Sequence, residues 1–105
     1  MDDDELDSLV RAVSNATRRH ILRLSSGGEI TAGAIAAHID LALASVSEHL
    51  KVLRKTGLVD VRRDGAHWYY RANEARIAEA LLALRHDLPK PTDPIETIRS
   101  RRNDP

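Results

Sequence analysis

Apolar residues recur along the first half of this chain at helical spacing. Leu6, Leu9, Val10 and Val13 stand at i, i+3, i+4 and i+7 and predict an amphipathic first helix. Asn15 is placed to cap a second helix, whose buried side is Ile21, Leu22 and Leu24 and which Ser25-Ser26-Gly27-Gly28 interrupts. Thr31 caps a third, with Ile35, Ala36 and Ile39 inward, and Asp40-Leu41-Ala42-Leu43 reads as the turn of a helix-turn-helix unit. In the fourth helix Val46, Leu50 and Leu53 form the buried stripe. Ser45, Ser47, Glu48, Lys51, Arg54 and Lys55 are left on an outer face that is polar and mostly basic.

The period then changes. Gly57 ends the fourth helix where a left-handed residue is needed, and Leu58-Val59-Asp60-Val61-Arg62-Arg63 alternates as a strand up to a tight turn expected at Asp64-Gly65. His67-Trp68-Tyr69-Tyr70-Arg71 returns as the second strand of the hairpin. Trp68, Tyr69 and Tyr70 are the chain's aromatic residues; they must alternate across the strand, with Tyr69 facing opposite to its neighbours, and packing against the helices explains one side better than base stacking does. A last helix carries Ile77, Ala80, Leu81, Leu84 and Leu88 as a long stripe and stops at Pro89. The expected architecture is mainly α with a small β-hairpin, in the order α-α-α-α-β-β-α. It forms one domain over residues 1–88, followed by a tail over 89–105.

All four prolines lie beyond Leu88, beside Arg99, Arg101 and Arg102, so the tail reads as a mobile, solvated segment with Ile95 and Ile98 the one hint of a further helical turn. With 105 residues, 42% of them hydrophobic, the chain supports a single modest core. It contains no cysteine, which excludes disulfides, thiolate metal sites and thiol redox sensing. No apolar run approaches a membrane span and the acidic amino terminus is unlike a signal peptide, so a cytoplasmic protein with no membrane partner is expected.

The formal net charge of zero argues at first against a nucleic-acid ligand. The charges are segregated, however. Asp2, Asp3, Asp4, Glu5 and Asp7 crowd the amino terminus, whereas from Ala44 to Arg71 the bases Lys51, Arg54, Lys55, Arg62, Arg63 and Arg71 meet only Glu48, Asp60 and Asp64. A weak positive footprint therefore sits on the fourth helix and the hairpin, and non-specific DNA affinity should be low and salt-sensitive.

At Val46-Ser47-Glu48-His49-Leu50-Lys51-Val52-Leu53-Arg54-Lys55-Thr56-Gly57-Leu58-Val59 the chain resembles the VSxHLxxLRxxGLV signature of the ArsR family of small winged-helix repressors. Asn15-Ala16-Thr17-Arg18-Arg19-His20-Ile21-Leu22 is similar to that family's helix-opening segment, and Arg62 through Tyr70 to its wing. The likeness covers residues 6–88. It implies a transcriptional repressor that binds double-stranded DNA as a homodimer, on an inverted repeat with half-sites ~34–36 Å apart.

The residues themselves distribute the roles. Ser45, Ser47 and Glu48, with Lys51 one turn on, stand where a helix in the major groove presents side chains to base edges. Lys51, Arg54, Arg62 and Arg63 suit phosphates, and His67 on the wing is a further phosphate candidate. His49 belongs to the resembling signature and counts among the DNA-binding candidates through a phosphate, while its place beside Val46 and Leu50 favours a half-buried residue bonded within the domain. Leu6, Leu9, Val10 and Val13 of the first helix and Ile77, Leu81, Leu84 and Leu88 of the last exceed what a three-helix core plus hairpin absorbs, so they are expected to form the dimer interface.

No cofactor is expected. Arsenic- and cadmium-type relatives place cysteines in the third helix, where this chain has Thr31-Ala32-Gly33-Ala34-Ile35. Zinc- and nickel-type relatives use carboxylate and histidine pairs on the last helix; here Arg76 replaces a ligand, and Glu74, His86 and Asp87 remain as weak metal candidates without four visible ligands. His20 and His38 have no ligand-type partner one turn away. Partial charging of the five histidines would raise DNA affinity as pH falls. No G-x-S-x-G elbow, phosphate-binding glycine loop or H-E-x-x-H motif is present, so no enzyme is expected. The competing reading is a winged-helix module that binds a protein partner instead of DNA. The inducer stays unknown at this level.

Overall fold

The computed structural model describes residues 1–90. Five helices, α1 (Asp3–Val13), α2 (Ala16–Ser26), α3 (Ala32–Ile39), α4 (Leu43–Lys55) and α5 (Glu74–Asp87), surround a small sheet of β1 (Ile30–Thr31), β2 (Val59–Asp64) and β3 (His67–Ala72). The strand order is β1-β3-β2, all antiparallel. The residues named above for the expected tail beyond Lys90 lie outside the described residues.

Local chemistry sets the boundaries. Asp2, Asn15, Thr31 and Asn73 each accept a backbone N–H three residues on, from Glu5, Arg18, Ala34 and Arg76, which fixes the starts of α1, α2, α3 and α5. Asp40 ends α3 with φ of 56°, a left-handed conformation that a short polar side chain tolerates. Leu43, expected in the turn, is instead the first residue of α4, so the turn is Asp40 to Ala42. At the other end of α4, Leu58 N–H donates to Leu53 O at 2.9 Å and Gly57 N–H to Arg54 O at 3.0 Å, with Gly57 at φ +79°. This is a Schellman motif, and its accompanying apolar contact is Leu53 with Leu58, both fully buried.

The core is built from the predicted stripes. Leu9, Ile21, Ile35, Val46, Leu50, Leu53, Leu58 and Val59 are buried to 2% exposure or less, with Ala12, Leu22 and Ala72 joining them. Ser25 is also buried and gives its hydroxyl proton to Ile21 O at 2.8 Å, so it costs no unpaired donor. α3 packs on α4, β3 on α2, and α1 on α5.

Three further details depart from the sequence reading. A short strand β1 pairs with β3, Ile30 opposite Tyr70 and Thr31 opposite Tyr69; two residues are too few to show a period. The hairpin turn falls on Gly65-Ala66, one residue later than expected, because Asp64 pairs with His67. Gly65 has φ of +61° and Ala66 no positive φ, which fits a type II′ loop. Leu6 and Leu9, expected at a dimer interface, are buried within the single chain. α1 closes the protomer's own core with them, because α5 lies alongside it.

Candidate nucleic-acid interface

α4 divides cleanly into two faces. Val46, Leu50 and Leu53 are buried, while Ser45, Ser47, Glu48, Lys51, Arg54 and Lys55 are all exposed. About 20 Å of helix, at 1.5 Å per residue, thus presents one polar surface to the outside. α4 differs from the other four helices at its start: Ala42 occupies the N-cap and provides no side-chain hydrogen bond. The first backbone N–H groups of α4 therefore have no side-chain cap, at the positive end of the helix dipole.

His49 turns inward. It is half-buried, with Nδ1 3.3 Å from Arg18 Nη1. Arg18 also donates through Nε to Ala12 O at 2.7 Å and through Nη2 to Arg11 O at 3.1 Å, and Arg19 reaches Val13 O at 2.7 Å. The two arginines of α2 thus satisfy carbonyls at the carboxyl end of α1. His49 belongs to this network joining α1, α2 and α4.

The hairpin splits its arginines between two fates. Arg62 forks onto Glu29, with Nε at 3.1 and 3.0 Å from the two carboxylate oxygens and Nη2 at 2.7 Å from Oε2. That bond holds the Glu29 carboxyl below the ordinary glutamate range and raises the Arg62 guanidinium, helped by nearby Asp64. Arg62 is therefore tied to the loop before β1, with its charge met by Glu29 within the chain. Arg63 has no such partner among the described residues. It stacks at 4.6 Å on the Trp68 ring, its direct cross-strand neighbour, and Arg54 of α4 lies 5.3 Å from the same ring. His67 is exposed at the tip, its ring tilted against Tyr69 at 6.3 Å.

Alternation along β3 separates the aromatics as expected, but only Tyr70 packs against the core. Trp68 shares the face of Tyr70 and, lying nearer the tip, receives Arg54 and Arg63 instead of apolar neighbours. Tyr69 points the other way and carries Arg62 at 4.7 Å. The packing expected of one side of the strand thus holds for Tyr70.

α5 has no fully buried residue, and Leu81, Leu82 and Leu88 are more than half exposed. Val10, Val13, Leu22, Ile77, Leu81 and Leu84 line an apolar groove of about 400 Å³ between α1, α2 and α5. On the opposite side of α5, Arg76 donates to Glu5 at 2.7 Å, to Glu79 at 3.1 Å and to Thr56 O at 3.2 Å. The Glu5 bond raises the Arg76 guanidinium and links α1, α5 and the end of α4. Glu74 and the His86-Asp87 pair stand at opposite ends of α5, about 18 Å apart along the axis, and do not converge within one chain.

Sequence reasoning passed over Glu29, Arg18, Arg76 and the Arg54–Trp68–Arg63 stack. The first three are long-range contacts with no local signal. The Arg63–Trp68 pair follows from the hairpin register once the turn is placed at Gly65-Ala66, whereas Arg54 reaches Trp68 from α4 with no local signal.

Against known proteins, residues 13–62 match a family model described as a helix-turn-helix domain. The chain is 34% identical over 76 residues to the transcriptional repressor SdpR of Bacillus subtilis, covering 72% of this chain and 84% of that one. Among solved structures it is similar to an ArsR-like transcriptional regulator from a Rhodococcus species, with a TM-score of 0.72 at 26% identity over 94% of this chain and 86% of that one. It is also similar to the homodimeric winged helix-turn-helix DNA-binding domain of a Mycobacterium bovis protein, with a TM-score of 0.68 at 33% identity over 77% and 76% of the two chains.

Proposed function

The chain belongs to the ArsR family of winged helix-turn-helix transcriptional regulators, and from that membership we propose that it is a sequence-specific DNA-binding repressor. It acts as a homodimer on an inverted-repeat operator in the cytoplasm, as a binding protein rather than an enzyme. No helix among the described residues is long and apolar enough to cross a membrane.

The observation that carries this reading is the two-faced α4: a wholly buried stripe anchors the helix, and the wholly exposed polar face makes no side-chain hydrogen bond or ion pair among the described residues. Laid in a major groove, that face brings Ser45, Ser47 and Glu48 to base edges. The serine hydroxyls donate or accept, and the Glu48 carboxylate accepts from a cytosine amino group. Lys51 and the open amides at the start of α4 meet phosphates. Arg54 and Arg63 grip the backbone on the wing side. His49 and Arg62, both tied internally, hold the geometry.

One recognition helix discriminates too few bases for a genome, and the apolar groove beside α5 supports pairing of two copies. Leu9 and Leu6 are used inside the protomer, so the pairing surface is Val10, Val13, Ile77, Leu81, Leu84 and Leu88, with Leu82 added. Burying three half-exposed leucines contributes about 1.5 kcal/mol or more each at full burial. The Mycobacterium bovis domain, described as homodimeric, supports the same arrangement.

Exchange of Ser47 and Lys51 for alanine tests the reading. Both side chains are exposed, so the fold and the dimer should persist while binding to DNA from upstream of the gene is lost. Retained DNA binding in that variant would move the interface elsewhere, and a protein partner retained by it would favour the interaction-module alternative.

A further inference from the structure

Two arginines from different elements share one indole. Arg54 comes from the last turns of α4 and Arg63 from β2, and their guanidinium carbons lie 5.3 and 4.6 Å from the Trp68 ring centre. Neither makes an ion pair among the described residues, whereas Arg62 and Arg76 both do. The type of contact matters. A guanidinium held over an aromatic ring meets no oxygen acceptor there, so its N–H donors can still reach an anion. Arg62 has its donor edge occupied by Glu29 and is the contrasting case.

Holding two like charges over one ring without a carboxylate between them is electrostatically unfavourable, modestly so where solvent screens. An anion that accepts from both removes that cost. The two side chains also sit where the recognition helix meets the wing, so an anion engaging both contacts the two elements at once. A phosphodiester backbone has the charge, the paired non-bridging acceptor oxygens and the extent for this.

We propose that Trp68 is a positioning residue for DNA: it holds Arg54 and Arg63 as one preassembled unit that grips the phosphate backbone where α4 and the wing join. This rests on the DNA-binding reading above and adds to it the residue that organises the grip. Trp68 itself touches no base. It acts through the two arginines by fixing their rotamers before DNA arrives, which removes ordering entropy from the binding step.

Because Trp68 is the sole tryptophan, its emission reports the stack directly. In the free protein, Arg54→Gln and Arg63→Gln should each change the intensity or wavelength of that emission. The decisive experiment is fluorescence anisotropy on a labelled duplex from upstream of the gene and on a scrambled duplex, across a salt series, for wild type, Trp68→Leu and Trp68→Phe. Trp68→Leu should weaken binding to both duplexes about fivefold or more and flatten the plot of log affinity against log salt by about one to two, the slope being ~0.9 per phosphate contact. Trp68→Phe, which keeps a π face, should recover most of both. Should Trp68→Leu fail to fold by circular dichroism, the Arg54→Gln, Arg63→Gln and double variants carry the test, since one unit predicts that the two losses do not add. Wild-type affinity and slope in folded Trp68→Leu, or strictly additive arginine losses, would overturn the proposal while leaving DNA binding intact. A wild-type protein that binds neither duplex in a salt-dependent way would overturn both.

Discussion

Arg62 and Glu29 form a forked ion pair, with the guanidinium Nε and Nη2 both donating to the Glu29 carboxylate at 2.7–3.1 Å. The contact closes the hairpin onto the loop before β1 and cancels one of the wing's charges. Removing the acid should therefore help DNA binding. Glu29→Gln is expected to steepen the salt dependence of binding by about one, as Arg62 becomes available to a phosphate. Arg62→Gln should change DNA affinity much less than Arg63→Gln. Anisotropy titrations on one duplex decide it, and equal losses for the two arginine variants would refute the division of roles.

The same pair has a defined pH signature. Glu29 is held below the ordinary glutamate range by its bond to Arg62, so the stabilising contribution of the fork is fully present above that ordinary range. It is lost as pH falls through the lower, folded-state value. Both side chains are solvent-exposed, so the effect on stability should be small and salt-screened. Urea unfolding of wild type and Glu29→Gln should converge on the acid side of that window and differ slightly at neutral pH.

Glycines at two positions should respond to alanine in opposite directions. Gly57 has φ of +79°, and an added Cβ would sit 3.4 Å from the Arg76 side chain. Gly57→Ala should cost about 1–2 kcal/mol from the left-handed backbone alone. Gly33 lies in the first turn of α3 with nothing within 4 Å of its added Cβ. Gly33→Ala should stabilise by up to about 1 kcal/mol. Thermal unfolding of the two variants beside wild type checks both signs.

Leu81 is 61% exposed on α5 at the edge of the apolar groove. Leu81→Glu should leave the protomer folded but shift it to monomer, and weaken operator binding in step. Sedimentation velocity measures the first and anisotropy the second. A Leu81→Glu protein that remains dimeric would place the interface away from this groove.

Much of this was legible in the chain because the apolar period is strong. The stripes of α1 to α4 and the caps Asn15 and Thr31 appear where the spacing puts them, and Gly57 ends α4 as its position implies. The outer face of α4 follows directly from the same spacing, and resemblance to the ArsR signature points to the same residues. What stayed hidden depends on register and on long-range partners. A turn placed one residue early would set Arg63 opposite Ala66, so the Arg63–Trp68 pair emerges only when Gly65-Ala66 forms the loop. Nothing near Arg62 in sequence announces Glu29, thirty-three residues away. Leu9 has the same pattern as Val10, and only the packing of α1 on α5 decides which of them enters the protomer's core.

The central claim is that this surface reads DNA. The most direct test is anisotropy of the purified protein on a duplex from upstream of its own gene against a scrambled duplex, at two salt concentrations. Tight binding that prefers the native duplex and weakens as salt rises is the predicted result. Equal and weak binding to both would contradict it and leave the exposed face of α4 to a partner other than DNA.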